Sequence, residues 1–202
     1  MKILSTLLIA LPLLTLSPLV AANVDALDLT VDIGSATQKS DRFSENDTSF
    51  GLTLGYELTS NWSLNLSYTD FGEVQMPPGL LLTEDDEVYD FQSFIQTRGL
   101  GLSSHYLTDT LWGGWSFGGR FGLMHLYSKM SYFAPDFQGE LFSSNKHTST
   151  ALTGGVLVSY SLTSQMNLIL SVDYLVPDAQ TTVSGEEDFT ITRFAVGLNY
   201  HF

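Results

Sequence analysis

Along most of the chain, apolar and polar residues alternate with a period of two, and polar stretches interrupt the alternation. That period is the signature of β-strands, whose successive side chains point to opposite faces. The clearest run is the last, residues 190–202. Thr192, Phe194, Val196, Leu198, Tyr200 and Phe202 form one face, and Arg193, Ala195, Gly197, Asn199 and His201 form the other. The same alternation predicts seven earlier strands, at 26–36, 49–58, 62–69, 94–107, 112–128, 147–162 and 166–176. In each, a face of Leu, Val, Ile and aromatic residues backs onto a face of mostly Gly, Ser, Thr, Asn and Asp.

The connections alternate in length. Residues 59–61, 108–110 and 163–165 are short turns, whereas 37–48, 70–91, 129–146 and 177–188 are long and polar. The segments leading into the short turns repeat: Tyr56-Glu57-Leu58-Thr59-Ser60, Tyr106-Leu107-Thr108-Asp109 and Tyr160-Ser161-Leu162-Thr163-Ser164. Up-and-down hairpins with short turns at one rim and long loops at the other are the pattern of a transmembrane β-barrel. Tyr56, Tyr106 and Tyr160 fall near the turn rim, and Tyr68, Tyr127 and Tyr174 near the opposite strand ends. With Trp62, Tyr200 and Phe202 they are the candidate membrane-interface aromatics. Arg98 shares the outward parity and is expected at headgroup level.

The fold class that follows is all-β, an eight-stranded antiparallel up-and-down transmembrane β-barrel. A soluble eight-stranded barrel of the lipocalin kind is the alternative. It would need the apolar face inside around a ligand, which would leave the Gly- and Ser-rich face on the surface.

The N-terminus favours the membrane reading. Lys2, the apolar stretch 3–14 and the small residues Val20-Ala21-Ala22 read as a secretory signal peptide covering 1–22, with the barrel at 23–202. No later segment has the length of an apolar transmembrane helix. Only 15% of residues are charged against 12% aromatic, which suits such a barrel. The formal net charge of −14 argues against nucleic acid as a partner, and there is no cysteine to form a disulfide.

Residues 51–72, GLTLGYELTSNWSLNLSYTDFG, resemble the second and third strands of the OmpA-like family of small outer-membrane barrels. The likeness continues more loosely through Arg120-Phe121-Gly122 and the last strand. The terminal Phe202 on an alternating strand also resembles the C-terminal signature of bacterial outer-membrane barrels. That resemblance implies recognition by the barrel-insertion machinery through Phe202. It further implies a Gram-negative outer membrane, lipid and lipopolysaccharide as surroundings, and roles in envelope integrity, adhesion or phage reception. OmpA-like members often continue into a peptidoglycan-binding domain. Because the sequence stops at Phe202, no such tether is expected here.

Eight strands enclose an interior just wide enough for side chains, so a filled lumen is expected. The candidate lumen charge network is Asp32, Glu57, Arg120, Asp173 and Arg193. Asp32 and Asp173 are the natural partners of Arg193, while Arg120 reaches towards Glu57 or Asp173. Asp28, His105 and His201 are also inward. In OmpA-like barrels such a network is thought to act as a gate. A narrow gated channel for ions or small solutes is therefore the alternative to a structural or surface-interaction role through four extracellular loops with an unknown ligand.

A remote third reading is a lipid A-modifying enzyme, for which His147, Ser149 and Glu140 have the right residue types. His147 and Ser149 share the inward parity of Ala151, away from lipid, so no catalytic site is expected. No Cys/His cluster suits zinc, and no metal or cofactor is expected. The acidic runs 84–87 and 186–188 are candidates for divalent cations bridging lipopolysaccharide phosphates. Residues 79–82, Gly-Leu-Leu-Leu, form an apolar patch in the second long connection.

Overall fold

The alternating segments form strands, and the strands close on themselves. The computed structural model describes residues 26–41, 43–82, 88–133, 144–178 and 189–202. Segment 1–22 and the acidic runs 84–87 and 186–188 lie outside the described residues, as does Glu140. The strands are β1 (Leu27–Lys39), β2 (Ser44–Glu57), β3 (Trp62–Gln75), β4 (Gly79–Leu82), β5 (Val88–Leu107), β6 (Trp115–Phe133), β7 (Ser144–Ser161), β8 (Met166–Pro177) and β9 (Thr190–His201).

β4, the apolar patch of the second connection, is a short arm paired with the start of β5. The other eight strands pair antiparallel with their neighbours, β3 meeting β5. β9 returns to β1 in the register Asp28↔His201 through Lys39↔Thr190. Closure leaves the eight-stranded barrel without a free edge that could recruit another chain.

The two faces divide as the alternation requires. Val31, Leu52, Leu66, Leu102, Leu123, Val156, Leu170 and Leu198 point outward and are exposed, with Leu152 at 67% and Phe121 at 62%. A continuous apolar exterior of this extent is an aggregation surface in water and a lipid-facing band in a bilayer. Leu123→Arg is therefore expected to cost about 2–4 kcal/mol in urea-dependent folding into phospholipid vesicles. The same exchange on a water-exposed surface changes stability by less than about 0.5 kcal/mol.

The repeated Leu-Thr-Ser turns have one geometry. Leu58 N and Thr59 N donate to Trp62 O at 2.8 and 3.1 Å, and Leu162 N and Thr163 N donate to Met166 O at 2.9 and 3.1 Å. Thr59 Oγ1 accepts from Trp62 N at 3.1 Å, and Thr163 Oγ1 accepts from Met166 N at 3.0 Å. The threonine hydroxyl satisfies the first strand amide after each turn, which is why the motif recurs. The short turn expected at 108–110 differs. Trp112–Gly114 is an irregular turn and β6 starts only at Trp115, because Gly113 and Gly114 adopt φ of 79° and 85°, which a strand does not use.

At the other end the strands run further than the alternation of the sequence indicates. β1 includes Thr37 and β2 starts at Ser44, so most of the first expected loop is ladder. β3 continues past Tyr68 to Gln75, and β6 continues past Tyr127 to Phe133, so these tyrosines sit within strands, not at their ends. The reason is solvent. Beyond the apolar band the outer face no longer has to be apolar, and a polar stretch still carries a ladder. A bulge between Asp70 and Glu73 bends β3 here. Gly72 takes φ 82° and Glu73 N donates to Asp47 Oδ2 at 2.7 Å.

Candidate functional site

The inward face of the barrel is layered along its axis. Nearest the short turns is a polar chamber of about 120 Å³, bordered by Asp28, Glu57, Asn65, His105 and Asn199 among others. Asn199 Nδ2 donates to Asp28 Oδ1 at 2.7 Å and to Thr30 Oγ1 at 3.0 Å. Glu57 stands at the rim with its Oε1 3.6 Å from His201 Nδ1, both side chains partly exposed.

Above the chamber lie two buried ion pairs. Arg193 pairs with Asp32 and donates from Nε to Ser49 Oγ at 2.9 Å. Arg120 pairs with Asp173 through both Nε and Nη2, and Nη2 also reaches Ser171 Oγ at 3.3 Å. Exposure is 4% and 11% for the Arg193 and Asp32 side chains, and 17% and 5% for Arg120 and Asp173. Charges so far from water persist only when paired and hydrogen-bonded.

Glycines make room for both carboxylates. Asp173 faces Gly155 across β7–β8, and Gly155 faces Arg120 across β6–β7, so the guanidinium reaches the carboxylate over a residue with no side chain. Asp32 lies between Gly51 on β2 and Gly197 on β9, and a Cβ on either would run into it.

Of the expected network, Asp32 and Arg193 come together, as do Arg120 and Asp173. Glu57 joins neither arginine. Two alternatives that inward parity leaves open are thus decided. Arg193 and Asp173 face each other in the β8–β9 register, yet the carboxylate turns to Arg120. The lining shared by the two pairs encloses only about 30 Å³.

The loop-side half of the lumen is filled by an apolar cluster, which the expectation of a mainly polar interior does not include. Phe71, Val74, Ile95, Leu126, Leu175 and Ile191 are at most 2% exposed, and Met124 and Met130 pack with them. Phe43, between β1 and β2, and Phe189, just before β9, join the cluster with their ring centroids 6.4 Å apart. A polar seam crosses it. Thr97 Oγ1 donates to Gln38 Oε1 at 2.9 Å and lies 3.3 Å from Ser128 Oγ. The signal for the cluster is the inward parity of Met124, Leu126, Leu175 and Ile191, apolar positions on a face otherwise polar.

His147 and Ser149 sit on β7 opposite Ser128 and Leu126, and Ser149 is buried in the lumen. The barrel wall separates this pair from lipid. Among the described residues no group of three or more His, Asp or Glu side chains is arranged to hold a metal ion.

The expected interface aromatics all lie on the outward parity. Trp62 packs against Tyr106 with tilted rings 5.1 Å apart, and Tyr200 meets Phe202 edge-on at 5.1 Å. Trp115, a turn-side aromatic absent from the expected set, pairs with Tyr160 at 4.7 Å. Tyr56 faces Leu27 and Leu64, and Tyr68 and Tyr174 are exposed. Tyr127 carries His125 edge-on against its ring at 4.7 Å.

A family model described as the outer membrane protein beta-barrel domain matches residues 6–202. No curated protein matches the chain. Among solved structures, Neisserial surface protein A is similar at 17% identity and a TM-score of 0.58, over 88% of this chain and 97% of that one. Ail, the attachment invasion locus protein of Yersinia pestis, is similar at 17% identity and 0.51, over 87% and 98%. The N-terminal β-barrel domain of Pseudomonas aeruginosa OprF is similar at 17% identity and 0.50, over 85% and 97%. At these identities the likeness is one of fold.

Proposed function

Since the chain belongs to the outer membrane protein beta-barrel domain family, we propose that it is a surface-interaction protein: a sealed barrel whose loop-side connections contact ligands outside the cell. The observation that carries this reading is the filling of the lumen. Two arginine–aspartate pairs stand beneath an apolar cluster, and a permeant ion would have to cross both. Strands that continue past the loop-side aromatics hold those connections clear of the bilayer on a hydrogen-bonded rim. Likeness in fold to an attachment invasion locus protein and to a surface protein supports an adhesive or receptor role. Cleavage of residues 1–22 and delivery by the insertion machinery through Phe202 belong to the same reading.

Catalysis is not part of it, since His147 and Ser149 face the lumen. Lipid A mass spectra from cells carrying Ser149→Ala are expected to match wild type.

The direct test exchanges segments 134–143 and 179–188 for short Gly-Ser turns. The trimmed protein is expected to remain heat-modifiable on gels and to lose attachment of expressing cells to host surfaces. Undiminished attachment would refute the reading.

A further inference from the structure

Above the lipid-facing leucines of β5, β6 and β7, the outer surface turns basic. The register stacks the outward residues in rows: Leu102, Leu123 and Leu152, then Leu100, His125 and Thr150, then Arg98, Tyr127 and Thr148, then Gln96, Lys129 and Lys146. Lys129 and Lys146 are directly opposed across the β6–β7 ladder, and both are exposed. Like charges in directly opposed positions destabilise a strand pair. Among the described residues neither ammonium has an ion-pair partner. Arg98, one row below, is held by Asp70 at 2.9 Å and leaves half of its side chain exposed.

The chain has 8 Lys and Arg against a net charge of −14. With Arg120 and Arg193 inside the lumen, three of those cations lie on one outer patch. Asp70 pairs Arg98 and the exposed Glu73 faces Gln96 from β3, so among the described residues the two lysines are the charges of the patch without an ion-pair partner. Depth identifies what the patch faces. From Tyr106 in the turn-side belt to Gln96, β5 climbs roughly 25 Å, at about 3.3 Å per residue and a tilt near 40°, which is the height of an apolar transmembrane band. Tilt sets ladder partners at different heights. Lys129 lies 14 residues beyond Trp115 and Lys146 14 beyond Tyr160, roughly 35 Å at the same rise and tilt, which puts both above the apolar band among the headgroups.

We propose that Lys129 and Lys146, assisted by Arg98, bind the phosphate of a phosphorylated lipid headgroup in the outer leaflet, its acyl chains lying along Leu100, Leu102 and Leu123. The anion relieves the repulsion between the two lysines and gains two or three charge-assisted contacts. The inference rests on the membrane placement of the barrel and is independent of any ligand of the loops.

The test reconstitutes refolded protein in phosphatidylcholine vesicles containing diphosphorylated lipid A, extracts it in mild detergent, and measures co-purified lipid A by mass spectrometry. Lys129→Gln/Lys146→Gln is expected to retain roughly tenfold less lipid A than wild type, and wild-type retention falls as salt is raised. Dephosphorylated lipid A is expected to show no difference between the two proteins. Heat-modifiability on gels establishes that the variants are folded. Equal retention of diphosphorylated lipid A by wild type and double variant overturns the proposal. So does an equal loss on Lys39→Gln, which removes an exposed lysine on β1.

Discussion

Arg193→Ala is expected to destabilise the barrel by about 3–5 kcal/mol, the usual consequence of leaving one member of a buried ion pair without its partner. Asp32 would keep a charge in a site that is almost dry, and Ser49 would lose its donor. Gly51 and Gly197 flank the carboxylate closely, so its ladder partners on β2 and β9 offer no side chain to replace the guanidinium. Urea-dependent folding into vesicles, followed by tryptophan fluorescence, measures the change. Arg193→Met/Asp32→Leu is expected to recover most of the loss, because removing both charges leaves nothing unpaired. A single variant as stable as wild type would mean that the pair is solvated.

The second large effect comes from a residue with no side chain. Gly155→Val is expected to cost about 3 kcal/mol or more by pushing the Asp173 carboxylate away from Arg120 without removing either charge. A Cβ there would also lie 2.5 Å from Val172 O. Gly154→Val is the matched control. Gly154 faces the lipid, with Arg120 O the nearest atom to a built Cβ at 3.9 Å, and the substitution is expected to be neutral. The same unfolding assay compares the two. Similar losses at both positions would mean that backbone conformation, not the ion pair, sets the requirement for glycine.

These adjacent glycines show how far the sequence can be read. Alternation alone tells Gly155 from Gly154 by parity, and the short Leu-Thr-Ser turn between β7 and β8 fixes the register that places Gly155 beside Asp173. The arrival of Arg120 on the other side of Gly155 is not legible, because β6 and β7 are joined by a long connection that leaves their register open. The same freedom explains why Glu57 looks like a partner for Arg120. Strand tilt displaces their depths, and parity carries no information about depth. The loop-side strand ends look like loops in the sequence because polar residues outside the membrane are alike whether or not they form a ladder. Phe71, Val74 and Ile95 fall in or beside those stretches, so the apolar cluster was hidden with them.

Single-channel recording of the refolded protein in a planar bilayer tests the sealed lumen most directly. The apolar cluster above the ion pairs predicts no unitary current steps from wild type, and none from Arg120→Ala, since removing the guanidinium leaves Ile95, Leu126, Leu175 and Ile191 in place. Reproducible unitary steps from wild type that are altered by Arg120→Ala would contradict a sealed barrel and make the ion pairs a gate.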